Sequence, residues 1–454
     1  MSARSFYQRL LGRAQSGPQD VQQTAMIGLQ VSLALMAFVS LNPYFMWEYQ
    51  KVYYAIASVL LVVSCIGCYH LLLFTRERLI LCVAFSLFLI YLSLLPKVLG
   101  GTTRWFFLIP FTVALLTVSQ EDLQKAFEKF YWLFALSLVP GILVWVWVLS
   151  GLPIEFRYMI IPPQIAQREV TEYFERAGVV FLQSNAMILP NGGIMFRLCG
   201  MYDEPGTVGT IAALCLAVTR FRLSDIRGGI AFIAGIMSFS IAFALLTVVG
   251  LIVTSVASKR PWLLIAALTS IAASAIPLSG FKFENGVTST TNITVVRVRP
   301  AEQASSDYRD GGSTVRYRFT APEDQRLRVS QDFDNRALPE MRLLFANYTN
   351  SSARTLLFGL GSDASIIFGA GSAIWTSVLT NYGIVGFLWL FILFLTPLVY
   401  LLRSRRLDMP IAIFCALYLM SFYQRPVIWL PAQLLIYFAG LRMMNEPAAS
   451  EKQT

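Results

Sequence analysis

Eleven apolar runs, separated by polar stretches, restrict what this chain can fold into. They cover residues 24–41, 52–74, 79–95, 105–118, 130–149, 208–218, 229–257, 262–278, 384–402, 410–422 and 427–441. A helix that crosses a bilayer needs about 20 apolar residues, and many of the runs approach or reach that length. Charged residues make up 14% of the chain, against about 25% in soluble proteins. We therefore predict an all-α polytopic membrane protein.

The run at residues 229–257 decides the topology. As one helix, it would place the basic clusters at residues 259–260 and 403–406 outside the cell. Split near Ser238–Phe239–Ser240 into two short segments, it places them in the cytoplasm, as the positive-inside rule favours. Twelve segments result, with both termini cytoplasmic. Because the run has only 29 residues, at least one segment must be tilted, kinked or partly re-entrant.

This topology divides the chain into tails, membrane blocks and two external loops. The polar N-terminus lacks the short apolar run of a signal peptide, so it is expected to form a cytoplasmic tail. In order, the parts are the N-terminal tail (1–23), segments 1–5 (24–150), an external loop (151–205), segments 6–9 (206–279), a large external loop (280–381), segments 10–12 (382–443) and a cytoplasmic C-terminal tail (444–454).

Both external loops have patterns that predict local structure. In the first loop, the spacing of apolar residues predicts a surface-lying amphipathic helix at residues 164–181. In the second, alternating residues predict short strands at 291–298 and 314–319, with a turn at 310–312 that makes a β-hairpin. A short helix is expected at residues 336–347, with Asp334 as its N-cap.

The large external loop is rich in arginine. Residues 281–363 contain ten arginines, one lysine and ten carboxylates. Arginine grips phosphate or carboxylate with a planar fork of donors, whereas lysine is a flexible point charge, and a segment that needed only solubility would use both. We infer that an anionic group, such as a lipid-linked phosphate, is held at this surface. The alternative is a solvated domain whose charges nearly cancel. The net charge of +10 mainly sets topology, so no nucleic-acid partner is expected.

Residues 196–206, Phe-Arg-Leu-Cys-Gly-Met-Tyr-Asp-Glu-Pro-Gly, form the first candidate site. They bring Arg197 and two adjacent carboxylates, Asp203 and Glu204, to the outer mouth of a helix that Pro205 would start. The carboxylates could serve chemistry at this mouth. Equally, they could only complement the helix dipole.

The second candidate site lies in the large external loop. Arg336 follows Asn335, and Phe358-Gly359-Leu360-Gly361-Ser362-Asp363 comes 22 residues later. The glycines could let the backbone approach a ligand, although an ordinary turn explains them as well. Further arginines of this region are Arg342 and Arg354.

Together these motifs resemble the bacterial O-antigen polymerases (Wzy type) and the related O-antigen ligases. The shared features are Arg-x-x-Gly-x-x-x-Glu-Pro-Gly before a helix, an external arginine ahead of Phe-Gly-x-Gly, and Tyr-Gly-Ile-Val-Gly at residues 382–386 entering the next helix. About twelve spans, with the large loop between the ninth and tenth, complete the resemblance.

The resemblance implies a GT-C-type glycosyltransferase on the external face of the bacterial inner membrane, with a role in O-antigen and lipopolysaccharide synthesis. It would transfer a growing chain from one polyprenyl (undecaprenyl) pyrophosphate to the sugar hydroxyl of another, without metal or cofactor. Its partners would be these lipid-linked oligosaccharides, membrane lipid and a chain-length-regulating membrane protein. The family's pyrophosphate-binding arginines match Arg197 and Arg336. Further contributions to that site are expected from Arg342, Arg354, Tyr202, Gly359 and Gly361.

One departure favours a polymerase over a ligase. The ligases carry a histidine shortly before the tenth segment, where this chain has Ser372 or a near neighbour, and the single histidine here, His70, lies in an early apolar run. A ligase-like histidine base is therefore excluded. The proton of the acceptor hydroxyl would go to a carboxylate, in the order Glu204, then Asp203 or Asp363.

Two functions outside this family stay open. A transporter of the same lipid-linked sugars would also have about twelve spans, but it would more often place charges within them, and the long runs contain almost none. A non-enzymatic subunit could use its loop only to dock a partner.

The cysteines indicate neither disulfides nor a metal site: five of the six lie in apolar runs, and Cys65 and Cys68 have no second pair of ligands.

Overall fold

The computed structural model describes residues 19–47, 49–94, 105–150, 197–202, 204–259, 262–268, 339–361, 364, 375–403, 409–425 and 427–443, and five short strands between residues 157 and 195. This part of the chain is mostly helical. The α-helices are α1 (Gln19–Val39), α2 (Gln50–Gly67), α3 (Arg76–Leu94), α4 (Ile109–Thr117), α5 (Gln120–Leu149), α6 (Pro205–Val218), α7 (Ile226–Met237), α8 (Ile241–Ser258), α9 (Pro339–Thr349), α10 (Ala353–Phe358), α11 (Thr376–Arg403), α12 (Met409–Gln424) and α13 (Pro431–Met443). Residues 262–268 are also helical, and 3-10 turns occupy Tyr44–Met46, Tyr69–Leu71 and Phe106–Leu108.

Several helices have the length and composition of membrane spans. In the described part, four are long and apolar enough to cross a membrane: Gln22–Val39, Arg76–Leu94, Gln120–Trp147 and Thr376–Arg403. Other apolar helices are shorter, at 10–17 residues. On α2, Val59, Val63 and Ile66 are 61–67% exposed, as expected for side chains that face lipid rather than protein. These helices agree with a helical membrane protein.

The predicted split of the run at residues 229–257 is confirmed. α7 ends at Met237 and α8 begins at Ile241, and the Ser240 hydroxyl caps α8 by accepting a hydrogen bond from the N–H of Phe243 at 3.4 Å. The hydroxyl of Ser238 donates to the carbonyl of Gly235 at 2.6 Å. α7 has 12 residues and is about 18 Å long, so it is shorter than the roughly 30 Å hydrocarbon layer.

α6 is a buried helix within the bundle. Every residue from Pro205 to Val218 except Thr207 is buried, and α6 packs against α7, α8, α12 and α13. A helix that is apolar on all sides belongs in an interior. A Cβ added at Gly209 would lie 2.4 Å from the Cβ of Ser240, so the start of α6 touches the break between α7 and α8.

Several connections between helices meet at one end of the bundle, here named the loop end (residues 40–44, 197–204, 238–240 and 425–432). The N–H of Tyr44, after α1, donates to the carbonyl of Met201, before α6, at 2.9 Å. The N–H of Ala432, at the start of α13, donates to the hydroxyl of Ser40 at 2.9 Å. The loop end is therefore held together by hydrogen bonds between distant parts of the sequence.

The prediction of a helix at residues 164–181 is wrong for the C-terminal part of that range, which forms strands. Phe174–Ala177 (β2) and Val180–Gln183 (β3) form an antiparallel hairpin, and Arg157–Tyr158 (β1) adds a third strand beside β2. Met187–Ile188 (β4) pairs with Ile194–Met195 (β5) in a second sheet. The physical reason is that the predicted range contains a glycine, Gly178, which disfavours a helix.

The short helix predicted at residues 336–347 is present as α9, at Pro339–Thr349. Proline favours the first position of a helix, because its missing N–H has no intrahelical partner there. The hydroxyl of Tyr348 then donates to the carbonyl of Leu356 in α10 at 2.6 Å. The strands predicted at residues 291–298 and 314–319, and the turn between them, lie outside the described residues.

Candidate functional site

Arg197 lies in the short loop that leads into α6, and backbone hydrogen bonds hold that loop. The N–H of Leu198 donates to the carbonyl of Met237 at 3.0 Å, at the end of α7. Gly200 has a φ of +64°, a conformation that glycine adopts without steric cost. The glycine of the motif therefore serves the turn that carries the chain from Arg197 to Glu204.

The guanidinium of Arg197 is anchored on the break between α7 and α8. Its Nε–H donates to the carbonyl of Ser238 at 3.1 Å. Burial lowers the pKa of Arg197, while the neighbouring Cys199 and Glu204 raise it. Because the ordinary pKa of arginine is above ~12, the group stays a cation. Arg197 is thus a fixed positive charge at the loop end.

Glu204 occupies the N-cap position of α6 but does not cap it with its side chain. Its backbone is extended (φ −141°, ψ 140°), and its carboxylate makes no hydrogen bond to the first turn. Instead, its Oε2 accepts a hydrogen bond from Nη2 of Arg425 at 2.5 Å. A purely capping role therefore does not describe this carboxylate, although a negative charge here still complements the helix dipole.

Arg425 is a site residue that sequence reasoning missed. It follows α12, where its N–H donates to the carbonyl of Ser421 at 2.8 Å. It is separated from Glu204 by 221 residues. One signal could have found it: it is a lone arginine between two apolar runs, in a connection that the predicted topology places outside, where the positive-inside rule disfavours basic residues.

Arg197, Glu204 and Arg425 form one group, which we name the arginine–glutamate cluster. Glu204 interacts electrostatically with Arg197 and pairs directly with Arg425. Two cations and one anion leave an excess positive charge, to which the adjoining N-termini of α6 and α8 add partial positive charge. The cluster is suited to bind an anion, and one carboxylate within it could accept a proton.

Tyr202, expected to contact substrate, is a core residue instead. Its side chain is fully buried, its ring packs on Phe134 and Phe38, and its hydroxyl shares a 2.5 Å hydrogen bond with Ser137 of α5. The aromatic ring is large and its polar tip is satisfied inside the bundle, so burial is favourable. Tyr202 fixes the loop against α5 rather than facing a ligand.

The glycines of Phe-Gly-Leu-Gly are explained by contact between two backbones. The N–H of Gly361 donates to the carbonyl of Asn381 at 3.1 Å. A Cβ at Gly359 would lie 2.3 Å from that same carbonyl oxygen. Gly383 kinks α11 with a φ of 69°, and a Cβ there would lie 2.5 Å from the N of Gly359. This close approach accounts for Gly359. Gly361 has a φ of 123°, which favours glycine, so neither glycine requires a ligand.

The other predicted site residues are less completely described. Arg354 is exposed on α10. The backbone of Arg342 lies in α9, but its side chain is outside the described set, as are Asp203, Arg336 and Asp363 entirely. The structure therefore brings Arg197 and Glu204 together and leaves the partnership of Arg197 with Arg336 as a prediction.

Among the described residues, no group of three histidine, cysteine or acidic side chains could hold a metal ion. The thiol of Cys68 donates to the carbonyl of Ser64 at 2.9 Å, so it is engaged within its own helix end.

In comparisons with known proteins, no family model, curated protein or solved structure matches this chain.

Proposed function

We propose that this protein is a polysaccharide polymerase of the O-antigen type, a GT-C glycosyltransferase with twelve membrane segments and cytoplasmic termini in the bacterial inner membrane. It joins polyprenyl-pyrophosphate-linked repeat units on the external face. The observation that carries the proposal is the arginine–glutamate cluster. Two residues of one short motif, Arg197 and Glu204, interact electrostatically there at the start of the buried helix α6.

The cluster suits the chemistry of this transfer. The acceptor hydroxyl oxygen bonds to the anomeric carbon of the donor, and the bond from that carbon to the pyrophosphate oxygen breaks. The electron pair leaves with the pyrophosphate, and Arg197 stabilises the growing negative charge there. The hydroxyl proton passes to the carboxylate of Glu204, which acts as the base. The reaction balances without a metal or a redox partner.

The test is polymerisation by the purified full-length protein in lipid nanodiscs. The substrate is the lipid-linked repeat unit isolated from cells of the source organism that lack this protein. The proposal predicts a ladder of products that differ by one repeat unit, with release of the polyprenyl pyrophosphate. A transporter or a docking subunit would give no ladder, so the absence of a ladder would contradict the proposal.

Glu204→Gln tests the base within the same assay. A base predicts that the Glu204→Gln substitution lowers turnover about 100-fold or more. Arg403→Gln is the control, because Arg403 is an exposed residue at the end of α11, away from the loop end. A folded Glu204→Gln protein that makes long polymer at the wild-type rate would remove Glu204 from the mechanism.

A further inference from the structure

The ion pair between Glu204 and Arg425 joins two elements that are far apart in sequence. Glu204 precedes α6, and Arg425 follows α12. The side chains are 23% and 22% exposed, so the pair is mostly enclosed but keeps access to the solvent at the loop end. A pair in such a position can exchange partners with an incoming ligand, which a fully enclosed pair cannot do.

Arg425 has a donor that nothing in the described part of the chain satisfies. Its Nη2 contacts Glu204, but its Nε is buried and has no hydrogen-bond partner among the described residues. Arginine presents five N–H donors in a rigid fork. A buried donor without an acceptor is unfavourable, so the fork is suited to a ligand with several oxygens better than to a single carboxylate oxygen.

Charge leads to the same conclusion. With Glu204 in place, the cluster holds two guanidinium groups and one carboxylate, beside the positive ends of α6 and α8. A pyrophosphate diester carries two negative charges and offers several acceptor oxygens. The pyrophosphate therefore matches the charge of Arg197 and Arg425 better than the single carboxylate of Glu204 does.

We propose that Arg425 is a second anion-binding arginine, and that Glu204 is its exchangeable counterion, displaced when the pyrophosphate of a lipid-linked donor enters. The inference rests on the proposed function for the identity of the donor. Its consequence is that donor binding releases the Glu204 carboxylate from Arg425. The base then becomes available only when the leaving group is already held.

A structural ion pair and an exchangeable one differ in a measurable way. Arg425→Gln and Glu204→Gln break the same pair. If the pair only holds α6 against α12, both substitutions perturb the site in the same direction. If Glu204 competes with the ligand for Arg425, Arg425→Gln weakens anion binding, whereas Glu204→Gln strengthens it.

The experiment measures the affinity of the full-length protein in nanodiscs for undecaprenyl pyrophosphate by titration calorimetry, with undecaprenyl monophosphate as the comparison ligand. We expect Arg425→Gln to raise the Kd at least about tenfold. We expect Glu204→Gln to lower it about threefold or more. The double variant Glu204→Gln/Arg425→Gln keeps Arg197 as the charged group of the cluster and should bind more weakly than Glu204→Gln, because Arg425 is absent. The loss should be larger for the pyrophosphate than for the monophosphate.

Arg403→Gln is the matched control, with the wild-type Kd expected. Thermal unfolding is recorded for each variant. If Arg425→Gln does not fold, the sign of the change in Glu204→Gln decides the question, since a structural pair gives no reason for tighter binding. Equal or same-direction changes in Kd for the two single variants would overturn the inference.

The binding assay separates this inference from the proposed function, because it requires no turnover. Arg425-dependent binding by a wild-type protein that makes no polymer would support the anion site and contradict the polymerase. Polymerisation by a wild-type protein whose Arg425→Gln variant binds normally would overturn the inference and leave the function standing. No binding of the pyrophosphate by the wild-type protein would overturn the inference as well.

Discussion

Replacing Arg197 by lysine separates the two tasks of this side chain. Its Nε–H holds the carbonyl of Ser238, and the rest of the guanidinium fork is the proposed anion contact. A lysine ammonium lies one bond further along the side chain than Nε. It can therefore reach the same carbonyl after a small torsional adjustment, but it cannot also present a second, coplanar donor to an anion.

The expected effect on catalysis follows from the bond that is lost. A hydrogen bond to a charged group contributes about 1.5–3 kcal/mol. If it acts on the departing pyrophosphate, its loss lowers kcat/KM about 10- to 150-fold. Stability should change by less than about 1 kcal/mol, since the bond to Ser238 is replaced. Initial rates of polymerisation over a range of substrate concentrations, with thermal unfolding of the same samples, measure both effects.

Arg403→Lys is the control, because it makes the same exchange at an exposed residue far from the loop end. Arg197→Gln should lose stability as well as activity, because it no longer donates to Ser238 as a cation. An Arg197→Lys protein that polymerises at the wild-type rate would refute the role of Arg197 as an anion ligand.

Three further predictions concern the fold that supports the site. Gly383→Ala should destabilise the protein by about 2–4 kcal/mol, measured by thermal unfolding, because the new Cβ would lie 2.3 Å from the carbonyl oxygen of Leu357 at a positive φ. The carboxylate of Asp225 accepts hydrogen bonds from the backbone N–H and the guanidinium of Arg227, which lower the pKa of Asp225. Asp225→Ala should lower the free energy of unfolding by about 0.5–2 kcal/mol. Asp225→Asn should lower it less, since asparagine still caps α7. A cysteine placed at Ser306 should react with an impermeant reagent in intact cells, because the proposed topology puts residues 280–381 outside.

Each of these has its own control or contrary result. Gly229→Ala is the control for Gly383→Ala, because the Cβ added at Gly229 would meet no atom closer than 3.7 Å. Equal stability of the two variants would contradict the packing argument for Gly383. For Asp225 the sign of the pH dependence is a second check. Its folded pKa is below the unfolded value of about 3.9, so its contribution is complete above pH ~4 and is lost as the pH falls through the folded pKa. Labelling of the cysteine at position 306 only after lysis would contradict the proposed topology, because it would place residues 280–381 in the cytoplasm.

The helical framework could be predicted because lipid imposes a simple rule on sequence. In the described part of the chain the apolar runs overlap helices. The break near Ser238 is predictable as well, because the positive-inside rule, applied to the basic clusters at residues 259–260 and 403–406, favours it. The hairpin at residues 174–183 was missed because short amphipathic patterns suit a helix and a strand almost equally. There Gly178 is the informative residue, because glycine disfavours a helix.

The candidate site was only half predictable for a different reason. Arg197 and Glu204 share one motif, so their proximity follows from local chain geometry. Arg425 reaches Glu204 only through the packing of α12 against α6, and no local pattern carries a contact across 221 residues. Tyr202 shows the opposite error: a residue within a functional motif whose hydroxyl is used for packing.

The most direct test of the central claim is a structure of the full-length protein in nanodiscs with bound undecaprenyl pyrophosphate. The account predicts density for both phosphates at the loop end, within hydrogen-bond distance of Arg197 and Arg425, with Glu204 no longer paired with Arg425. Density for the pyrophosphate at another place, with the Glu204–Arg425 pair intact, would contradict it.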